Sequence, residues 1–260
     1  MPHVLLDYIP VWGIFLLTIL VSFIFFEIGF RLVKYRKKTL EHASEAPIGS
    51  IFAAILSLLA FILAFTFSSA ATRYDERNKL VLEEAIAIEQ TYFRASFLPE
   101  VYQAKVHELL KEYALVRLKG INAENHREAL KKSILIQDEL WSYAAKIGSE
   151  VPSTNANQSF ISSLSDIIAA HAKRIMIGIY RHIPNTIWYA LYFVTILAVT
   201  TMGYFVGIKR NRYFMMSFTL IVSFSAVITL IADLDRPQEG SIRVSQQPMI
   251  DFYHRISSRD

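Results

Sequence analysis

Cysteine is absent from all 260 residues. Disulfides and thiolate metal ligands are therefore excluded, while the compartment stays open, because a cysteine-free chain suits oxidising and reducing surroundings alike. Enzyme constellations are missing as well. His107-Glu108 begins like a zinc-protease helix, but Lys111 stands where the second histidine is needed. There is no phosphate-cradling glycine loop and no G-x-S-x-G elbow, and the 7 histidines are scattered. His171, on an apolar helix face, reads as a hydrogen-bonded core residue rather than a ligand. The sequence thus predicts no enzyme, no cofactor and no metal site. A positive leader region and a small-residue cleavage site are also lacking near the N-terminus, so its apolar run is expected to stay as an uncleaved span.

What is present is apolar residues gathered into blocks. The chain is 53% hydrophobic, and four blocks are long enough to cross a bilayer: Val11 to Val33, Ile48 to Ala71, Ile187 to Ile208 and Tyr213 to Ile231. The formal charge of +4 does not gather on one face, which argues against nucleic acid as a partner. Its densest cluster, Arg31, Lys34, Arg36, Lys37 and Lys38, follows the first block and reads as an anchor at lipid head groups. With Lys209, Arg210 and Arg212 in the third loop, positive-inside counting makes both short loops cytoplasmic. The residues between the second and third blocks are then placed on the opposite side of a cell (inner) membrane.

Glycine and proline are as informative by their absence. None occurs between Ser50 and Leu98, so an apolar first half and a charged second half read as one helix. At 1.5 Å per residue such a rod is roughly 70–75 Å long, against ~30 Å for a hydrocarbon core. Its second half carries Ala71, Tyr74, Asn78, Val81, Ala85, Ile88, Tyr92 and Ala95 at 3-4 spacing. That seam calls for partner helices, in this chain or in a neighbouring subunit. After Pro99 three more amphipathic helices follow. One runs from Glu100 to about Leu118 and stops at Gly120. The second starts near Asn122, runs to Gly148 and carries Leu130, Ile134, Trp141 and Ala144 on one face. The third spans about Phe160 to Ile183, after a linker at Ser149 to Ser159, and Pro184 kinks or breaks the path into the third span. The expected fold is an all-α membrane protein: four transmembrane helices with a helical bundle inserted between the second and third. The divisions are 1–71 for the first two spans, 72–185 for the bundle, 186–233 for the last two spans and 234–260 for a tail. Met249, Phe252, Tyr253 and Ile256 would dock that tail on the bundle.

Several residues stand out against this frame. Glu27 is a carboxyl group deep in an apolar block; an i,i+4 pair with Arg31 explains it, and proton or ion handling is the alternative. Gly203 and Gly207 form a G-x-x-x-G packing spacing. Ser57, Phe61, Phe65 and Ser69 recur every four residues and share a face. In a ring of subunits they would line an axial pathway whose phenyl rings form a dewetting constriction, although packing between spans accounts for the same spacing. Arg73 and Arg77 follow the second span as Asp233 and Asp235 follow the fourth, which predicts an inter-helix ion pair between the two sets. Asn157-Gln158-Ser159 matches a glycosylation sequon, a weak signal.

Certain runs carry a resemblance. Leu63-Ala64-Phe65-Thr66-Phe67-Ser68, Arg73-Tyr74-Asp75-Glu76-Arg77, Tyr92-Phe93-Arg94-Ala95, and Ala232-Asp233-Leu234-Asp235-Arg236-Pro237 resemble the bestrophin-like family of mainly bacterial membrane proteins. The resemblance implies an oligomeric ion channel, pentameric and anion-selective by analogy with bestrophins, with Phe61 and Phe65 at the aromatic neck. It also implies a cytosolic position for the large domain, opposite to the side that positive-inside counting gives. The acidic calcium-clasp run of animal bestrophins is absent. A second reading, from a different class, is a non-conducting membrane scaffold or sensor whose helical stalk binds a partner. In both readings the chain is a homo-oligomer embedded in membrane lipid.

Overall fold

A computed structural model of the chain describes residues 9–35, 45–120, 126–150, 154–180, 182–209, 214–236 and 240–257. Eight helices organise them, with no strand among the described residues: α1 (Val11–Tyr35), α2 (Glu45–Ala95), α3 (Glu100–Lys119), α4 (His126–Glu150), α5 (Asn155–Tyr180), α6 (Asn185–Lys209), α7 (Phe214–Asp235) and α8 (Gln247–Ser257). Of these, α1, α2, α6 and α7 contain stretches long and apolar enough to cross a bilayer. Helix α2 is unbroken over 51 residues, as the lack of breakers requires. It ends where Ser96, Phe97 and Leu98 close i→i−3 bonds onto Phe93, Arg94 and Ala95, a tightening that delivers the chain to Pro99.

Prolines open several elements, as a residue without an N–H should. The Pro10 carbonyl accepts from Gly13 and Ile14 at the head of α1, and the Pro99 carbonyl accepts from Tyr102 and Gln103 at the head of α3. Residues 182–184 separate α5 from α6, so the path at Pro184 is broken rather than kinked.

The chain divides into two compact units. One comprises Met1–Arg73, His182–Arg236 and Gly240–Ile242; the other comprises Tyr74–Arg181, Pro237–Glu239 and Arg243–Asp260. In the first, α1 packs along α6 so closely that a Cβ on Gly203 would lie 2.1 Å from the Phe26 carbonyl oxygen, and one on Gly29 would lie 2.0 Å from that of Thr200. Beside this crossing, Phe26, Val199, Met202 and Ile221 form a small core. The second unit has the larger core, in which Ile88 and Tyr92 of α2 meet Leu109, Leu110 and Tyr113 of α3, Leu140 of α4, Leu164 of α5, and Met249, Phe252 and Ile256 of α8.

Two expectations, on α5 and on α4, need correction. Helix α5 begins at Asn155, not Phe160, because the Thr154 hydroxyl accepts the Asn157 N–H at 3.2 Å and caps it; the supposed linker from Ser149 to Ser159 is thus mostly helix. Asn157 is buried, so the sequon is closed to modification. In α4 the inner line is Ala129, Ser133, Ile136, Leu140, Ala144 and Ile147, while Ile134 and Trp141 face outward. The long seam of α2 finds its partners within its own chain: Val81, Ala85, Ile88, Tyr92 and Ala95 are all buried. Asn122, Arg36 to Lys38, Arg210 and Arg212 lie outside the described residues.

Candidate functional site

The apolar half of α2 presents one uncovered face. At about 3.6 residues per turn, Ser50, Ala54, Ser57, Phe61, Phe65, Ser68 and Thr72 follow one another along it, and all are exposed. The two rings protrude most, at 70% exposed for Phe61 and 65% for Phe65. The rest of this line is small or bears a hydroxyl, and Ile51, Leu58 and Phe67 are exposed on either side of it. The uncovered side of α1 differs, with Leu16, Leu20, Ile24 and Leu32 turned outward, as lipid contact favours. The Ser57 hydroxyl donates to the Ala53 carbonyl at 2.9 Å and that of Thr72 to Ser68 at 2.9 Å. Each oxygen keeps lone pairs free to accept from outside the helix. Ser69 is half-buried: steps of four overshoot the helical turn by about 40° each, so Ser68 takes the place in line that Ser69 was expected to hold.

Other singled-out residues have plain partners. Arg31 donates to Glu27 at 2.8 Å one turn away, which is the expected i,i+4 pair. Gly203 and Gly207 both sit against α1; a Cβ on Gly207 would lie 2.9 Å from the Val33 side chain. His107 stacks on Tyr92 with 4.2 Å between ring centroids, and its Nε2 lies 3.0 Å from the Tyr92 carbonyl oxygen. Among the described residues no three His, Asp or Glu side chains converge as metal ligands would.

At the end of α7, Asp235 is buried and accepts the Ile183 N–H with both carboxylate oxygens, at 3.0 and 3.1 Å. Ile183 lies in the α5–α6 break, where a backbone N–H lacks a helical acceptor. Arg73 pairs with the same carboxylate at 3.6 Å. Asp233 accepts the Ser241 N–H at 2.9 Å. Arg236, also buried, donates through Nη2 to the Ile9 carbonyl. Of the four charges expected to pair, Arg73 and Asp235 meet, and Asp233 serves backbone. Arg77 is buried in the second unit.

Sequence reasoning missed the most elaborate polar cluster, inside the second unit. Glu84 of α2, fully buried, accepts Arg117 Nε at 2.8 Å, Arg117 Nη2 at 3.3 Å, Arg174 Nη1 at 2.5 Å and the Tyr113 hydroxyl at 2.9 Å. Since the Tyr113 hydrogen is given to Glu84, its oxygen accepts from Gln137 Nε2 at 3.0 Å and from His171 Nδ1–H at 3.1 Å, which fixes the histidine tautomer at Nδ1. Arg174 reaches on to the Gln246 side-chain oxygen at 2.9 Å. Burial alone would raise the Glu84 pKa, but Arg117, the His171 bond and Arg174 outweigh it and hold the carboxyl well below the ordinary carboxylate range. Burial and then the Glu84 charge push the Tyr113 phenol well up. One acid in an otherwise amphipathic helix gives no warning of three such partners; the sole clue is that Glu84 lies on the same side of α2 as Ala85 and Ile88, the buried side.

Comparison with known proteins places this architecture. Solved structures of a bacterial Bestrophin homologue from Klebsiella pneumoniae share it: one point variant is 14% identical with a TM-score of 0.65, covering 95% of this chain and 96% of that one. Another is 15% identical with a TM-score of 0.67, again covering 95% and 96%. A structure described only as a membrane protein is similar to the same degree, 15% identical with a TM-score of 0.65 over 95% of this chain and 96% of its own. At such identities the likeness is one of fold. No curated protein matches the chain. The model of the Bestrophin-like domain matches residues 16–249. With four apolar helices and a match spanning nearly its whole length, the chain is an all-α membrane protein that belongs to the bestrophin-like family.

Proposed function

We propose that this chain is the subunit of an oligomeric ion channel in which the uncovered face of α2 lines the pathway and Phe61 and Phe65 form its apolar constriction. The carrying observation is the contrast between faces. Apart from Arg31 the exposed side of α1 is large and apolar, whereas the line Ser50, Ala54, Ser57, Ser68 and Thr72 of α2 is small or hydroxyl-bearing, interrupted by the protruding rings of Phe61 and Phe65 and flanked by the exposed Ile51, Leu58 and Phe67. Small and hydroxyl-bearing residues suit water or a close neighbouring copy better than acyl chains, and a ring of phenyl groups narrows and dries a pore. In this reading residues 72–185 stand outside the bilayer as a bundle inserted between the second and third spans, with residues 234–260 docked on it. Five copies surround the axis, by analogy with bestrophins. Anion selectivity is implied by the resemblance alone, so the flux experiment compares salts that differ in the anion or in the cation.

Purified protein reconstituted in liposomes is expected to pass ions. Phe61→Ala and Phe65→Ala are expected to change that flux several-fold, the double substitution more than either single one. Unaltered flux in both variants would remove the constriction from Phe61 and Phe65. The scaffold reading draws on a separate observation, the outward Ile134, Leu135 and Trp141 of α4, an apolar strip on a helix of the unit proposed to lie in water. A stable oligomer that passes no ion of either sign would favour it.

A further inference from the structure

The family resemblance raises calcium, and the end of α7 is where this chain places its acids after the last span. Calcium takes six to eight oxygen ligands at about 2.3–2.6 Å. Both oxygens of Asp235, Oδ1 of Asp233 and the Ile9 carbonyl oxygen are already committed to N–H donors. Both oxygens of Asp235 face the Ile183 N–H, with Arg73 at 3.6 Å and His182 Nδ1 at 4.0 Å. Asp233 Oδ1 holds the Ser241 N–H, so tightly enclosed that a Cβ on Gly240 would lie 2.2 Å from it. The nearby Ile9 carbonyl is taken by the Arg236 guanidinium. Among the described residues of this cluster Arg73 and Arg236 balance Asp233 and Asp235, and Asp233, Asp235 and Arg236 are all buried. A divalent ion entering this cluster would have to displace a guanidinium and break backbone hydrogen bonds, with no surplus carboxylate among the described residues to offset the cost.

We infer that the end of the last span is a metal-free lock, in which Arg73 and Arg236 supply the positive charge that joins α7, the α5–α6 break, the start of α1 and the close of α2's apolar half. This cluster therefore offers calcium no site, and stability and ion flux do not depend on calcium through it. This concerns regulation of the channel proposed above, but the lock itself does not depend on conduction.

The test is thermal unfolding of the full chain in detergent, in EGTA and in millimolar calcium, beside equilibrium binding of radioactive calcium. The unfolding temperature is expected to be the same in both conditions, with no stoichiometric calcium bound. Arg236→Ala and Arg73→Ala are expected to unfold several degrees lower, with Arg236→Lys falling between. A calcium-dependent rise in the wild-type unfolding temperature, or one calcium retained per chain, overturns the inference. So do alanine variants that unfold with the wild type, since the arginines would then close nothing. Should the alanine variants fail to fold, the wild-type calcium measurements and Arg236→Lys still decide. In liposomes, flux that is equal with and without calcium agrees with the lock, and flux that calcium switches refutes it. Absence of flux in every condition counts against the channel reading, while unfolding and calcium binding still decide for or against the lock.

Discussion

At the residue scale the controlling group is Glu84. An ionised carboxylate without contact to water survives because two guanidinium groups and a phenol replace its hydration. Glu84→Gln keeps the shape but leaves Arg117 and Arg174 without their charge partner. It is expected to destabilise the protein by roughly 3–5 kcal/mol, read from chemical unfolding, since breaking one side of a buried pair leaves an uncompensated charge. Replacing a solvent-facing acid such as Glu83 should move the same transition hardly at all. The pH dependence has a definite sign. The folded carboxyl sits below the 4.5 of a free glutamate, so on acidification the unfolded chain takes up this proton first. The stabilisation by Glu84 is complete above about pH 4.5 and drains away as pH falls toward the folded value. Unfolding temperatures measured downward from pH 6 should fall more steeply for the wild type than for Glu84→Gln; parallel curves would mean that Glu84 is not the group responsible.

At the element scale, glycine sorts into two kinds by what surrounds it. Gly203 lies where α6 meets α1 backbone to backbone, and any side chain must force the helices apart. Gly203→Ala is expected to cost about 1–3 kcal/mol or more through overpacking. Gly178, in α5, has nothing within 4 Å of an added Cβ, so Gly178→Ala should gain up to about 1 kcal/mol from helix propensity. Opposite shifts in unfolding temperature would check both at once. The Arg73–Asp235 pair makes a similar point. Charge reversal at Asp235 should be rescued only in part by reversal of Arg73, because the Ile183 N–H loses its acceptor in either case. Full rescue would show that the ion pair, not the cap, is what Asp235 provides.

For the whole molecule, the orientation expected from the basic loops can be read directly, because the absence of cysteine makes any introduced thiol unique. Ser142 of α4 is exposed, and Ser142→Cys is expected to react with a membrane-impermeant maleimide in intact cells. Labelling only after lysis would give the cytosolic placement that the family resemblance implies. Much of this molecule was legible in its residues. Block lengths determined the number of spans, the missing breakers determined α2 as one helix, and Pro99 and Pro184 marked where helices stop, since each depends on neighbours a few positions apart. Tertiary structure alone decided the rest: that Ile134 and Trp141 turn outward while Ser133 and Gln137 turn in, and that Glu84 meets partners 33 and 90 residues away. A helix's period is encoded within a single turn. Which of its polar side chains will find a counter-charge in the interior depends on elements that the chain reaches much later, and no local pattern carries that information.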